Sequence, residues 1–226
     1  MEVRNPSDLP AGVHPRVAEL YQRPFFKQGT DEWLEQRYDY LTASDVDAVL
    51  GKSRYSSAEE VRAVKLRIGI SVPPTEAMKH GTRTEPEARK VYESITGTRV
   101  IQFGLLAGSD ACHFLGASVD GITPTGIVVE IKCPYSRKIV PGRISPYYVN
   151  QVQAQLEVCD LESAHYFEYD SKTKKHNLVL VHRDPNWMDS NKVVLCDFWE
   201  EIELTKRLVP TEEHELQSHG PPSDQG

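Results

Sequence analysis

No stretch of the sequence is apolar for long enough to cross a bilayer, and its first residues, MEVRNPSDLPAG, hold no signal-peptide core. Both absences lead us to expect a soluble, intracellular protein of the cytoplasm with no membrane partner. Cysteine is scarce. Cys112, Cys133, Cys159 and Cys196 stand far apart, with no C-x-x-C pair. That spacing argues against a disulfide framework or a zinc site and suits small buried side chains in a reducing compartment. Excess positive charge is missing too. The formal net charge is −7, which speaks against indiscriminate coating of nucleic acid but leaves room for a local basic groove. No internal repeat is visible. What is there is 226 residues, 39% hydrophobic and 26% charged, which suits one globular domain with decorations.

The segments divide in order. Residues 1–20 are proline-punctuated and read as an extended arm, 21–209 as the folded domain, and 210–226 as a disordered acidic tail. Thr30 is placed to cap a short helix with Trp33 and Leu34 inward, and Ser44 to cap a second over 45–50. Ser57 and Glu60 make a capping box for a helix over 57–69, closed by Gly69. Ala88, Val91, Tyr92 and Ile95 lie at helical spacing, and Pro86 puts Glu85 in or next to a first turn. Residues 98–106 read as a strand and 147–160 as a helix bearing Gln151, Gln153 and Gln155. Residues 163–169 and 177–182 read as strands, and 189–209 as a closing helix with Val194, Phe198 and Ile202 inward.

The stretch LGASVDGITPTGIVVEIKC, residues 115–133, reads as strand, tight turn, strand. Alternation puts Val128, Glu130 and Lys132 on one face and Ile127, Val129, Ile131 and Cys133 on the other, the core face. Asp120 ends the first strand opposite these charges. Two carboxylates so spaced can hold a hard divalent cation, and a nearby lysine can orient water or offset phosphate charge. Alone, such charges more often line a solvent face.

Five pieces together say more: EWLEQRYDYLTASDV, HGTRTEPEARKVYE, GASVDG, VVEIKCP and YVNQVQAQLEV. Their order and spacing resemble the PD-(D/E)XK nuclease superfamily, and within it lambda exonuclease and the YqaJ-type viral recombinase family. The resemblance implies an α/β fold, a restriction-endonuclease-like mixed β-sheet flanked by α-helices. It implies metal ligation by Asp120, Glu130, the Ile131 carbonyl and Glu85, a water-positioning Lys132, and Gln153 at the edge of the site. It also implies a 5′-phosphate pocket of Arg37, Ser44 and Ser118, and a base-pair wedge near Met78. Val119 stands where the superfamily name has proline, a change that removes no ligand. His80 precedes Gly81 where relatives often carry an aromatic. The cysteines do not fit the cluster-binding pattern of some related nucleases, so no iron–sulfur cluster is expected.

The implied activity is 5′-to-3′ exonuclease digestion of linear double-stranded DNA with two Mg²⁺ ions, for which Mn²⁺ substitutes, leaving 3′ single strands for recombination. Implied partners are DNA ends, a single-strand annealing protein and two further copies in a homotrimeric ring. Basic residues in 62–67, 79–90 and 137–143 are candidates for DNA contacts. The alternatives are a structure-specific or restriction-type endonuclease with the same acids, and an inactive DNA-binding scaffold.

Overall fold

The structure is a computed structural model that describes residues 1–68, 73–109 and 112–208. Two small sheets carry it. In the first, β1 (Leu41–Thr42) runs parallel to β3 (Leu115–Ala117), which pairs antiparallel with β2 (Leu106–Ala107). The second has the order β4 (Gly121–Ile122), β5 (Ile127–Lys132), β6 (Ser163–Tyr169), β7 (His176–His182), with β5 and β6 parallel and the outer pairs antiparallel. The architecture is the expected mixed α/β arrangement.

The hairpin differs from its sequence reading. Only Gly121 and Ile122 pair with β5, while Leu115–Ala117 belongs to the other sheet. Ser118–Asp120 is therefore the crossing between sheets. Gly121 follows directly because a Cβ there would meet Val100 Cγ1 at 2.1 Å and the Ile101 carbonyl oxygen at 2.8 Å. Residues 98–106 contribute a single bridge, Ile101 to Ile122, and the first residue of β2 instead of a full strand.

Helices cover both faces of β5, so neither face is solvent. Val128 joins the larger core with Val152 and Leu156 of α6 (Val149–Cys159). Val129 and Ile131 pack with Ala88 and Tyr92 of α5 (Glu76–Thr96). Helix α5 starts ten residues before Pro86, which sits inside it, so Glu85 lies mid-helix and not in a first turn.

Helix α1 (Pro15–Tyr21) replaces the expected extended arm, and its Val17 and Leu20 are core residues. Thr30 caps α2 (Asp31–Gln36) as expected, but Leu34 is half exposed. Helix α3 (Val46–Val49) begins after Asp45, and Ser44 does not cap it. The capping box of Ser57 and Glu60 starts α4 (Ala58–Lys65) as read from sequence. Gly69 and the 210–226 tail lie outside the described residues. In α7 (Trp187–Leu208), Leu195, Phe198 and Ile202 face the core, while Val194 is half exposed.

Candidate active site

Asp120 and Glu130 meet where the two sheets join. Gly121 pairs with Val129, so the residue before it comes opposite Glu130. Asp120 Oδ2 accepts the Ile131 amide at 2.6 Å. Burial first, then the charges of Glu130 and Glu85, push the Asp120 carboxyl well above its ordinary range. Burial pulls the Lys132 ammonium down, but Glu130 and Asp120 outweigh it and hold its pKa above the usual lysine value. The same surroundings push the Cys133 thiol up to about 12, through burial and then Glu85 and Asp120.

Glu130 is 2% exposed, and its two oxygens are held from the helix side. Gln151 donates to Oε1 at 2.7 Å, and Gln155 donates to Oε2 at 2.6 Å. Lys132 forms an ion pair with Oε1. The Gln155 carbonyl oxygen has no partner among the described residues, an unmade bond set against the amide's grip on the carboxylate. Residues four apart share a helix face and residues two apart do not, which explains why Gln151 and Gln155 reach Glu130 and Gln153 does not. Gln153 turns the other way. It donates to the His182 carbonyl at 2.9 Å and accepts the Asp184 amide at 2.9 Å. Its side chain thus bonds the end of β7 and not Glu130, which the resemblance had set it beside. Glu85 is paired with Arg89 on its own helix, and Ile131 offers its amide to Asp120.

A second cluster lies against the first crossing residue. Arg37 donates to Ser118 Oγ at 3.4 Å and to Ser44 Oγ at 3.4 Å, and Trp33 Nε1 donates to Ser118 Oγ at 3.1 Å. The Trp33 ring lies 4.8 Å from the guanidinium carbon. Behind them Lys65, 4% exposed, pairs with Asp45 at 2.9 Å and donates to the Arg37 carbonyl at 2.9 Å. Asp45 also accepts from Thr42 Oγ1 at 2.6 Å. Burial raises the Asp45 carboxyl, but Lys65, Thr42 and Arg37 outweigh it and hold it low. Burial lowers Arg37 despite Asp45. A cleft of ≈ 290 Å³ opens beside Arg37, Asp45, Ser56 and Lys65.

The sequence reading passed over several residues around these clusters. Lys65, one of the basic residues expected at the DNA, is buried instead. Of the basic stretch 62–67, Arg62 pairs with Glu59 and Glu201, and Arg67 with Glu35, so little of its charge is left for a ligand. Glu168, 1% exposed on β6, pairs with Arg137 at 2.5 Å and accepts from Tyr166 at 2.9 Å. Asn177 accepts from the Gly142 amide and donates to the Arg143 carbonyl. Together they fasten the 133–148 loop to the sheet. An acid set among aromatic β-formers, in the run Tyr166-Phe167-Glu168-Tyr169, is the signal the sequence offers. Met78 is 60% exposed in the first turn of α5, apart from these hydrogen-bonded groups. His80 instead packs edge-on against Tyr135, with centroids 5.5 Å apart.

The carboxylates of Asp120, Glu130 and Glu85 offer oxygen, the ligand type a hard divalent cation takes. The crowding of Asp120 by two further carboxylates is an excess of negative charge that such a cation would neutralise. In the present conformation no three His, Cys, Asp or Glu among the described residues converge closely enough to enclose an ion. No helix among them is long and apolar enough to cross a membrane.

Comparison with known proteins follows the same geometry. An alkaline exonuclease from Laribacter hongkongensis, LHK-Exo, superposes with a TM-score of 0.70 at 26% identity, covering 83% of this chain and 100% of that one. The same enzyme has been solved in complex with dAMP. A phage-related exonuclease from Haemophilus somnus shares the fold, with a TM-score of 0.54 at 15% identity over 75% of this chain and 96% of that one. An uncharacterized protein of Acanthamoeba polyphaga mimivirus is 31% identical over 209 aligned residues, 76% of this chain. The chain spans 38% of that relative's length. The model of the YqaJ-like viral recombinase domain matches residues 32–162, more than half of the sequence, and the chain belongs to that family.

Proposed function

We propose that the chain is a metal-dependent deoxyribonuclease that digests linear double-stranded DNA from its 5′ ends. The observation that carries this is the adjacency of two opposite clusters. The Arg37 guanidinium reaches the hydroxyls of Ser44 and Ser118, and Ser118 stands two positions before Asp120 and its neighbouring acids. A terminal phosphate and a scissile phosphate are the groups that such a pair of clusters would take. The likeness to an exonuclease solved with a deoxynucleoside monophosphate supports the same reading.

Asp120, Glu130, Glu85 and the Ile131 carbonyl would hold Mg²⁺, two ions in all, with Mn²⁺ able to replace it. The metal would supply Lewis acidity and an acidified water. The rest falls to the chain itself. Lys132, ion-paired to Glu130, would orient water and offset phosphate charge. Gln151 and Gln155 fix the Glu130 carboxylate so that it need not reorganise. Arg37, Ser44 and Ser118 grip the 5′-phosphate and set the register of the cut. Met78, exposed in the first turn of α5, would be the apolar side chain that parts a base pair. Family resemblance extends the proposal to a homotrimeric ring and an annealing partner, the ring being checked by sedimentation.

The experiment compares linear, nicked and covalently closed duplexes, with 5′-phosphate or 5′-hydroxyl ends, in Mg²⁺. Digestion of linear DNA that favours 5′-phosphate and stops with EDTA is expected. Cutting of closed circles would instead make the protein an endonuclease.

A further inference from the structure

The loop between α3 and α4 meets the turn before α6 in a cluster of rings that neither the acids nor the phosphate pocket uses. The Arg54 guanidinium lies 5.5 Å from the Tyr55 ring centre and 5.1 Å from that of Tyr147. It also donates to the Tyr147 hydroxyl at 3.4 Å. The two rings stand edge to face, centroids 6.1 Å apart at 69°. Tyr55 is 66% exposed, so burial of apolar surface does not explain its place. Tyr148 continues the cluster inward. Its ring lies 4.6 Å from Lys132 Nζ and stacks on buried Tyr166 with centroids 5.9 Å apart. An aromatic surface therefore runs from Lys132 out to solvent. Ser56, the neighbour of Tyr55, lines the same cleft as Arg37.

We propose that Tyr55, Tyr147 and Arg54 form a nucleobase-stacking subsite for the DNA strand being degraded. The inference rests on the nuclease reading and adds to it the part of the substrate that the phosphate groups leave unbound. Every base offers a π face, and stacking on tyrosine tolerates any sequence, as an exonuclease needs. A guanidinium over the rings adds cation–π attraction and neutralises a neighbouring phosphate. A single strand is the occupant because a paired base is already stacked on both sides.

Equilibrium binding of a fluorescent single-stranded oligonucleotide in EDTA, against the same strand with abasic sites, tests this without cleavage. The wild-type protein should prefer the intact strand by about tenfold. Tyr55→Ala should lose that preference, Tyr55→Trp should keep it, and abasic DNA should bind all three alike. Equal wild-type affinity for intact and abasic strands would overturn the proposal, whatever the variants do. So would a Tyr55→Ala loss of equal size on both strands. Failure of the nuclease reading would show separately, as wild-type protein that leaves linear duplex uncut in Mg²⁺.

Discussion

The two clusters flanking the Ser118–Asp120 crossing are satisfied in opposite ways. At the acid end Glu130 is held by two amides at 2.7 and 2.6 Å and by Lys132. At the basic end Arg37 reaches its two hydroxyls only at 3.4 Å. A buried carboxylate left without donors costs more than its attraction to any one cation repays, so Glu130 is held in place by the protein itself. A guanidinium has five donors, and Arg37 commits its side chain to loose contacts that a phosphate could replace. The acid end is fixed before substrate arrives, whereas the basic end is finished by it.

Removing a carboxylate from the complete end should have the largest effect. Asp120→Ala or Glu130→Ala is expected to lower Mg²⁺-dependent hydrolysis of linear duplex by at least about a hundredfold; near wild-type rates would remove these acids from the chemistry. Next comes the unfinished end. Arg37→Ala should cut the preference for 5′-phosphate over 5′-hydroxyl ends by roughly tenfold to a hundredfold, the worth of charge-assisted hydrogen bonds. Its rate on hydroxyl ends should stay close to wild type, and a parallel loss on both ends would break the contrast. Gln155→Leu keeps volume but removes a donor from Glu130. We expect a destabilisation of about 1–3 kcal/mol in urea titration; no change would mean the carboxylate is held well enough without it.

The smallest effect concerns the support behind Arg37. The folded-state pKa of Asp45 lies below its ordinary value because Lys65, Thr42 and Arg37 outweigh burial. Its stabilisation is therefore present above about pH 4, the unfolded Asp value, and is lost as pH falls through the lower folded value. Asp45→Asn should flatten that part of the acid limb in denaturant titrations at successive pH values. An unchanged limb would assign the acid sensitivity to other carboxylates.

Much of this was legible in the sequence. Glu130 and Lys132 could be set on one face by strand alternation, and the capping box of Ser57 and Glu60 by its spacing alone. Local rules failed where distant elements decide. Nothing near Lys65 announces that Asp45 will pair with it in the interior, so local pattern offers it as a DNA contact. Pro86 is a breaker by local rule, yet α5 runs through it because Tyr92 and Ala88 beyond it and His80 before it are all buried. Gln153 was chosen over its neighbours by motif position, although two helical residues apart point to different sides. Ser44 looked like a cap because hydroxyls before short helices usually are; here Thr42 and Arg37 claim it.

The parallel ladders have a consequence in time as well as in space. β1 pairs Leu41 with Leu115, and β5 pairs Glu130 with Tyr166, residues far apart along the chain. Such pairings form only after a long loop has closed, which makes them slow steps in folding. One ladder carries the segment between Arg37 and Ser44, and the other carries Glu130 and Lys132. A chain still emerging from the ribosome before Ser163 lacks the strand against which Glu130 is registered. The partner that registers Glu130 and Lys132 thus exists only once residues 163–169 have been made.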